Sequence, residues 1–243
     1  VIRRYFFLQG CWNFEGMQNV GFAYAILPAL REFYRDRPEE LHRAVKRHLE
    51  FFNTHPALAG TILGASLRME QEAAAGRGDP KAIGAFKVGT MGSLGAVGDA
   101  FFWGAAKPLA AVLGALLAFV HPLVGIAALL ASFNVPNLLA RKRGFDAGME
   151  GQEGAVAFLQ RAGYHLRTEE RKLLAAVLGG VYGGVAVAYL GRHALSLGGG
   201  AFWLLLPASM VLVHAVALLY RKAVTSAEIL LLLGVVALLL YWR

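Results

Sequence analysis

Beyond Ala100 the chain consists almost entirely of apolar runs separated by short basic clusters. The runs are Phe101 to Val120, Leu123 to Ala140, Leu173 to Gly191, Phe202 to Tyr220 and Glu228 to Trp242. A helix needs about 20 mostly apolar residues to cross a bilayer, and inside lipid its backbone N–H and C=O groups must all be paired. The runs therefore predict an all-α polytopic membrane protein with about five transmembrane helices. Composition agrees, with 57% hydrophobic and only 16% charged residues, against roughly 25% charged in an average soluble domain.

The formal net charge of +8 does not point to nucleic acid, because the basic residues cluster between apolar runs and do not line one face. They read as topology signals. Arg141, Lys142 and Arg143 follow the second run, Arg171 and Lys172 precede the third, and Arg221 and Lys222 separate the last two. Basic flanks belong on the cytoplasmic side. The connections His121 to Pro122 and Arg192 to Gly200 then face out, with the N-terminus cytoplasmic and the C-terminus external. The expected location is the inner (plasma) membrane, multi-pass, with Trp203, Tyr220, Tyr241 and Trp242 at span ends where interfacial aromatics belong. No secretory signal is read in Val1 to Leu8.

Residues 1–100 have a different character and are expected to form an N-terminal region of amphipathic and re-entrant helical elements, with 101–243 as the transmembrane region. Asn19 to Leu30 is apolar, too short to span, and interrupted by Pro28, which suits a re-entrant or interfacial helix. Leu58 to Leu67 is a second such piece. Between them Arg37 to Phe52 predicts an amphipathic helix, with Pro38 in the first turn and Leu41, Val45, Leu49 and Phe52 at helical spacing. Its basic face, Arg43, Lys46 and Arg47, suits solvent, acidic lipid or a partner.

At the junction stands Lys87-Val-Gly-Thr-Met-Gly-Ser-Leu-Gly-Ala-Val-Gly-Asp99, with Gly89, Gly92, Gly95 and Gly98 at every third position. Each helical glycine costs roughly 1 kcal/mol relative to alanine, so the stretch predicts backbone that bends, approaches a neighbour closely or lines a cavity. It matches neither the phosphate-binding nor the dinucleotide-binding glycine pattern. Asp99, beside the first run, is either a cap or ion pair, with Lys87 and Lys107 as partners, or a carboxylate on a transport path.

Gln9-Gly-Cys-Trp-Asn-Phe-Glu15 supplies two amides, an indole and a carboxylate within seven residues. Amides and carboxylates match pairs of hydroxyls, and an indole accepts the apolar face of a pyranose, although a polar helix end has the same inventory. The single cysteine, Cys11, and the scattered histidines have no metal-ligand spacing. No cofactor, metal or catalytic residue is expected.

Three segments, Gln9 to Gln18, Lys46 to Pro56, and Lys87 to Asp99 with Phe102-Trp103-Gly104, resemble the IID component of mannose-family sugar phosphotransferase systems (PTS). The resemblance implies a non-catalytic membrane subunit that pairs with a IIC subunit to translocate a hexose or hexosamine. It implies that such IIC–IID pairs assemble into a trimer in membrane lipid, with phosphate supplied by IIA and IIB proteins. By position it assigns Gln9, Trp12, Asn13 and Glu15 to sugar contact, and Lys87, Gly89, Gly92, Gly95, Gly98 and Asp99 to the cavity or its hinge. The chain departs from the family pattern at Cys11, Ser93, Gly95, Ala96 and Lys107. Those departures motivate the alternative of a non-transporting scaffold or regulatory subunit.

Overall fold

The computed structural model describes residues 1–196. The last two apolar runs, with Arg221 and Lys222 between them, lie outside the described residues. Val1–Tyr182 forms one compact unit, and Gly183–Arg243 is a second.

The elements in order are α1 (Ile2–Tyr5), α2 (Asn19–Phe33), α3 (Pro38–His48), α4 (Ala59–Ala74), α5 (Pro80–Gly98), a π-helical segment (Asp99–Ala106), α6 (Lys107–Ala118), α7 (Pro122–Met149), α8 (Gln152–Ala162) and α9 (Tyr164–Ser196). The helical fold expected from the sequence is present. Among the described residues, two helical stretches are long and apolar enough to cross a membrane, Pro80–Ala118 and Pro122–Met149. The third expected run, Leu173 to Gly191, lies within α9.

The two short apolar pieces form the core. Every residue from Thr54 to Leu67 is buried, and α2 contributes Phe22, Ala25, Ile26 and Leu30 with Pro28 accommodated inside the helix. A helix buried all round carries apolar side chains on every face, so its hydropathy resembles that of a membrane span. In α3 the helix stops at His48, earlier than expected. The inward face is Leu41, Ala44, Val45 and His48, while Leu49 is exposed and Phe52 is buried from the following loop.

Close approach by glycine holds α4 on the far end of α7. A Cβ on Gly60 would lie 2.6 Å from the Arg141 carbonyl, and one on Gly64 would lie 2.3 Å from the Phe145 carbonyl. From the other side, Gly144 and Gly148 meet Thr61 in the same way. Both helices thus carry a small-xxx-small pair, which lets backbones approach where bulky side chains would separate them. The α6–α7 hairpin closes similarly, through Gly114 against Gly125. Tyr5 pins α1 to this core: its hydroxyl donates to the Pro56 carbonyl and accepts from the Gly60 N–H.

Of the readings open for the glycine stretch, close approach to a neighbour holds at Gly98 and a bend does not, because the stretch is α-helical through Gly98. The Asp79 side chain caps the first turn by accepting from Lys81 N–H at 2.9 Å, and Pro80 follows at the first helical position. Ile83, Lys87, Leu94 and Gly98 then fall on one buried face. That burial outweighs the weak glycine propensities. The irregularity comes immediately afterwards, where Lys107 N–H donates to the Phe102 carbonyl five residues back and the helix widens into a π turn. Residue 100 therefore lies within one continuous rod and not between two elements.

Candidate functional site

The sequence motifs meet at the loop Phe52 to Pro56. The N-terminal loop docks on it through backbone bonds, Gln18 N–H to Phe52 O at 2.8 Å and Phe52 N–H to Gly16 O at 3.2 Å. The buried Gln18 amide then reads the Thr54 backbone in both directions: its Nε2 donates to Thr54 O at 2.8 Å, and its Oε1 accepts from Thr54 N–H at 3.2 Å. Asn19 reaches across to the Leu49 carbonyl at 2.7 Å.

The opposite side of the loop rests on the glycine helix. A Cβ on Gly98 would stand 2.2 Å from the His55 Cβ, so only glycine admits this approach; Gly95 lies against Thr54 at ordinary contact distance. The His55 ring stacks on Phe102 (4.9 Å between centroids) and meets the edge of Trp103 at 5.1 Å. Gly89 and Gly92 have no neighbour within 4 Å of their would-be Cβ positions. Half of the glycine row is thus used for internal packing, and half lies on an open face.

Two buried polar groups beside Gly95 and Gly98 lack partners among the described residues, the Thr54 hydroxyl and His55 Nε2. His55 Nδ1 accepts from Ala57 N–H at 3.1 Å, which leaves the ring proton on Nε2. Burial holds the His55 pKa down at about 4, so the ring is neutral at physiological pH and presents an N–H donor. Such orphaned donors are uncommon in folded proteins. In sequence His55 is distinguished only by its proline neighbour and the absence of metal-ligand spacing, which do not reveal this environment.

Of the expected sugar-contact residues, Gln9, Trp12 and Glu15 are exposed on the N-terminal loop, Trp12 lying edge-on to Phe14 at 5.7 Å. Asn13 is partly committed to the loop itself: its Oδ1 accepts from Gly16 N–H at 2.7 Å and its Nδ2 donates to Asn19 Oδ1 at 3.1 Å. Met17 adopts φ +58 at the tight return of this loop.

The partners expected for Asp99 are not adjacent to it. Lys87 is buried three turns away, where its Nζ donates to the Arg47 carbonyl at 3.0 Å and lies 4.9 Å from the Phe22 ring. That carbonyl belongs to the last turn of α3, whose free acceptors attract a cation. Lys107 lies over the Trp103 ring at 5.0 Å. Asp99 is exposed, and among the described residues no ion pair reaches it.

Behind Lys87 lies an ionic cluster that sequence reading missed. Arg47 grips both oxygens of Glu70, at 2.7 and 3.2 Å, while His48 Nε2 meets Oε1 at 2.9 Å and the Tyr34 hydroxyl donates to Oε2 at 2.8 Å. Burial alone would raise the Glu70 pKa, but the hydrogen bonds from His48 and Arg47 outweigh it and hold the group at about 2. Burial also keeps His48 neutral, with its pKa lowered to about 4. The cluster ties the end of α2 to α3 and α4, and through the Arg47 carbonyl it fixes the start of the glycine row. The only sequence signal was a carboxylate placed one turn beyond the apolar face of α4. Among the described residues no group of three or more potential ligands could hold a metal ion.

A family model for the PTS system mannose/fructose/sorbose family IID component matches residues 1–189. The mannose-specific EIID component of Escherichia coli (strain K12) is 44% identical over 141 residues, covering 58% of this chain and 50% of that protein. The fructose permease IID component of Bacillus subtilis (strain 168) is 40% identical over 149 residues, covering 59% and 54% respectively. The chain spans about half the length of these curated relatives. Among solved structures, the mannose transporter ManYZ in complex with microcin E492 aligns with TM-score 0.60 and 38% identity, over 74% of this chain and 66% of that one. A second, described as a membrane protein, aligns with TM-score 0.70 and 31% identity over 99% and 93%. With a family match running through all three motifs and on into α9, the chain belongs to the IID components of the PTS mannose/fructose/sorbose family.

Proposed function

We propose that this chain is one of two membrane subunits of a sugar permease. It pairs with a IIC subunit, and the pair translocates a hexose whose phosphorylation is carried out by separate IIA and IIB proteins. The observation that carries this reading is the convergence of the three motifs on the Phe52 to Pro56 loop, with a neutral imidazole and a hydroxyl left unpartnered against the packed half of the glycine row. Gln9, Trp12, Asn13 and Glu15 contact the sugar from the N-terminal loop, and Thr54 and His55 support them. Gly89 and Gly92 receive the IIC subunit, since a bare helix face permits the closest backbone approach. Lys87, Gly95, Gly98 and Asp99 shape the cavity and its moving edge. The mannose transporter ManYZ, similar over most of this chain, supports the pairing.

Residues 1–100 form the cytoplasmic-side region and 101–243 the spanning region. The rod Pro80–Ala118 has 39 residues, about 58 Å of helix against roughly 30 Å of hydrocarbon, so only its second half need cross. The hairpin tip at His121 then faces out and the Arg141 to Arg143 cluster faces in, which puts α1–α4 on the cytoplasmic side. Cys11, the single cysteine and exposed, reports this directly. A membrane-impermeant maleimide labels it in inverted vesicles and not in intact cells; the opposite pattern reverses the topology.

The function is tested by phosphoenolpyruvate-dependent uptake of labelled hexoses with the chain and a IIC subunit co-expressed. Glu15→Gln and Trp12→Ala each lower uptake while the subunits still co-purify. Uptake unchanged by both removes the N-terminal loop from the sugar site. A stable complex that binds no sugar favours the scaffold reading, which Ser93 and Lys107, departing from the family pattern, also motivate.

A further inference from the structure

A cavity of about 570 Å³ opens between the far end of α7, α8, the start of α9 and the π-helical segment. Four arginines line it, Arg143, Arg161, Arg167 and Arg171. Among the described residues none of the four makes an ion pair or a side-chain hydrogen bond; Arg171 instead lies 4.5 Å over the Phe101 ring. Two acids share the wall, but Asp146 is already bound by Lys142 at 2.5 Å, which leaves Glu150, with Glu170 acting on Arg171 from α9, against four guanidiniums. Tyr164 also lines the cavity, is only 9% exposed, and has a hydroxyl without a partner among the described residues. Burial pushes that hydroxyl up to about 12 against the pull of Arg167, Arg171 and Arg143, so it remains a neutral donor. Tyr164 also opens α9, whose first turn holds no acidic residue to neutralise the helix N-terminus.

We infer that this four-arginine cavity, with the Tyr164 hydroxyl, is a phosphate-binding site occupied by the headgroup of an anionic phospholipid. Guanidiniums match phosphate oxygens with paired N–H donors, and a ligand pocket of this volume is of ordinary size. The lipid source is favoured by the remaining wall. Pro136 and Leu139 belong to a candidate membrane span, and Leu138 and Leu139 are exposed there, so an acyl chain can leave the cavity along the apolar surface of α7. Basic pockets at the cytoplasmic end of membrane helices recognise anionic headgroups by the same chemistry. A soluble phosphate ester offers the same group without the chain. The inference stands independently of sugar transport.

The test titrates short-chain phosphatidylglycerol, phosphatidylcholine and glycerol phosphate separately into the full chain in neutral detergent. Bound lipid is counted by native mass spectrometry, and melting is followed in parallel. Phosphatidylglycerol is expected to bind saturably and raise the melting temperature, and phosphatidylcholine is not. Arg161→Gln and Arg167→Gln, both at exposed positions that leave folding intact, each weaken binding on the order of tenfold. Arg171→Lys, which keeps the charge over Phe101, weakens it less than Arg171→Gln. Glycerol phosphate binding as tightly, with the same arginine dependence, keeps the phosphate site and reassigns it to a soluble ester. Equal binding of the two lipids, or binding indifferent to all three arginines, overturns the inference.

Discussion

The first half of α4 and the first half of α7 are both apolar and have opposite fates. From Ala59 to Leu67 every residue is buried in the protein, whereas along α7 Leu123 is 68% and Ile126 56% exposed. Hydropathy measures the drive to leave water and says nothing about what replaces it. The difference is set by what surrounds each helix. Around α4 stand α2, α5 and α7, the last admitted to close contact by Gly60, Gly64, Gly144 and Gly148; the apolar face of α7 near Ile126 and Leu130 has no such neighbours in this unit.

The largest effect expected from breaking that contrast comes from polar groups inside the buried half. Glu70 is completely buried and held by Arg47, His48 and Tyr34. Glu70→Gln removes the charge and leaves a partly buried guanidinium unpaired, at a cost of about 3–5 kcal/mol, read as a lowered melting temperature or denaturant midpoint. Asp146→Asn, which breaks an exposed pair with Lys142 on α7, costs at most about 1 kcal/mol. The pH dependence has a definite sign. Glu70 and His48 both have folded pKa values below their unfolded ones, so the stability they contribute is present at neutral pH. It is lost for His48 as pH falls from about 6.5 towards 4, and for Glu70 from about 4.5 towards 2. Melting temperature should therefore decline steadily on acidification below pH 6.5. His55 titrates over the same window, so His48→Gln should flatten only part of the upper decline, and a profile unchanged by it would remove His48 from the linkage.

Next in size is the apolar core. Leu63→Ala should cost roughly 2–5 kcal/mol, because α4 is enclosed on all sides and the vacated space cannot collapse freely. A loss under about 1 kcal/mol would mean that α4 is far less tightly enclosed than its contacts indicate.

Much of this arrangement was readable from residues alone. The helical membrane class followed from the apolar runs, and the helix over Pro38 to His48 from its first-turn proline and its period. The early arrest at His48 was not, because Leu49 and Phe52 extend the period beyond the point where the chain turns to meet Gln18. The glycine row was only partly legible for a related reason: close approach was among its readings, a regular helix was not. Its intrinsic propensity opposes a helix, and only tertiary contact, the His55 loop pressed onto Gly98, explains why a helix without side chains there is an advantage. The Glu70 cluster joins residues 22 to 36 positions apart in sequence, and no local pattern connects them.

Gly98→Ala isolates that contact. The new methyl would overlap the His55 Cβ, so either the loop or the helix must shift, at about 1–3 kcal/mol. His55→Ala leaves the Cβ and so relieves only the ring contacts, whereas His55→Gly should recover most of the loss. A double-mutant cycle reads the coupling directly. Additive effects would mean that the two segments are not in contact. Gly92→Ala, on the open face, serves as the control and should be neutral or slightly stabilising in the isolated chain.

The smallest expected effect is also the most discriminating for the exposed half. Leu130, on α7, is 51% exposed, with no enclosing neighbour among the described residues. In detergent Leu130→Ala should shift stability by no more than about 0.5 kcal/mol, since the methyl groups removed contact only solvating alkyl chains. The same substitution measured after assembly with a IIC subunit separates two uses of the surface. A face turned to lipid remains insensitive in the complex, while a face buried against a partner acquires the cost of a core cavity, roughly 2–5 kcal/mol. A large loss already in the isolated chain would contradict both, because it would require Leu130 to be enclosed within this unit as Leu63 is.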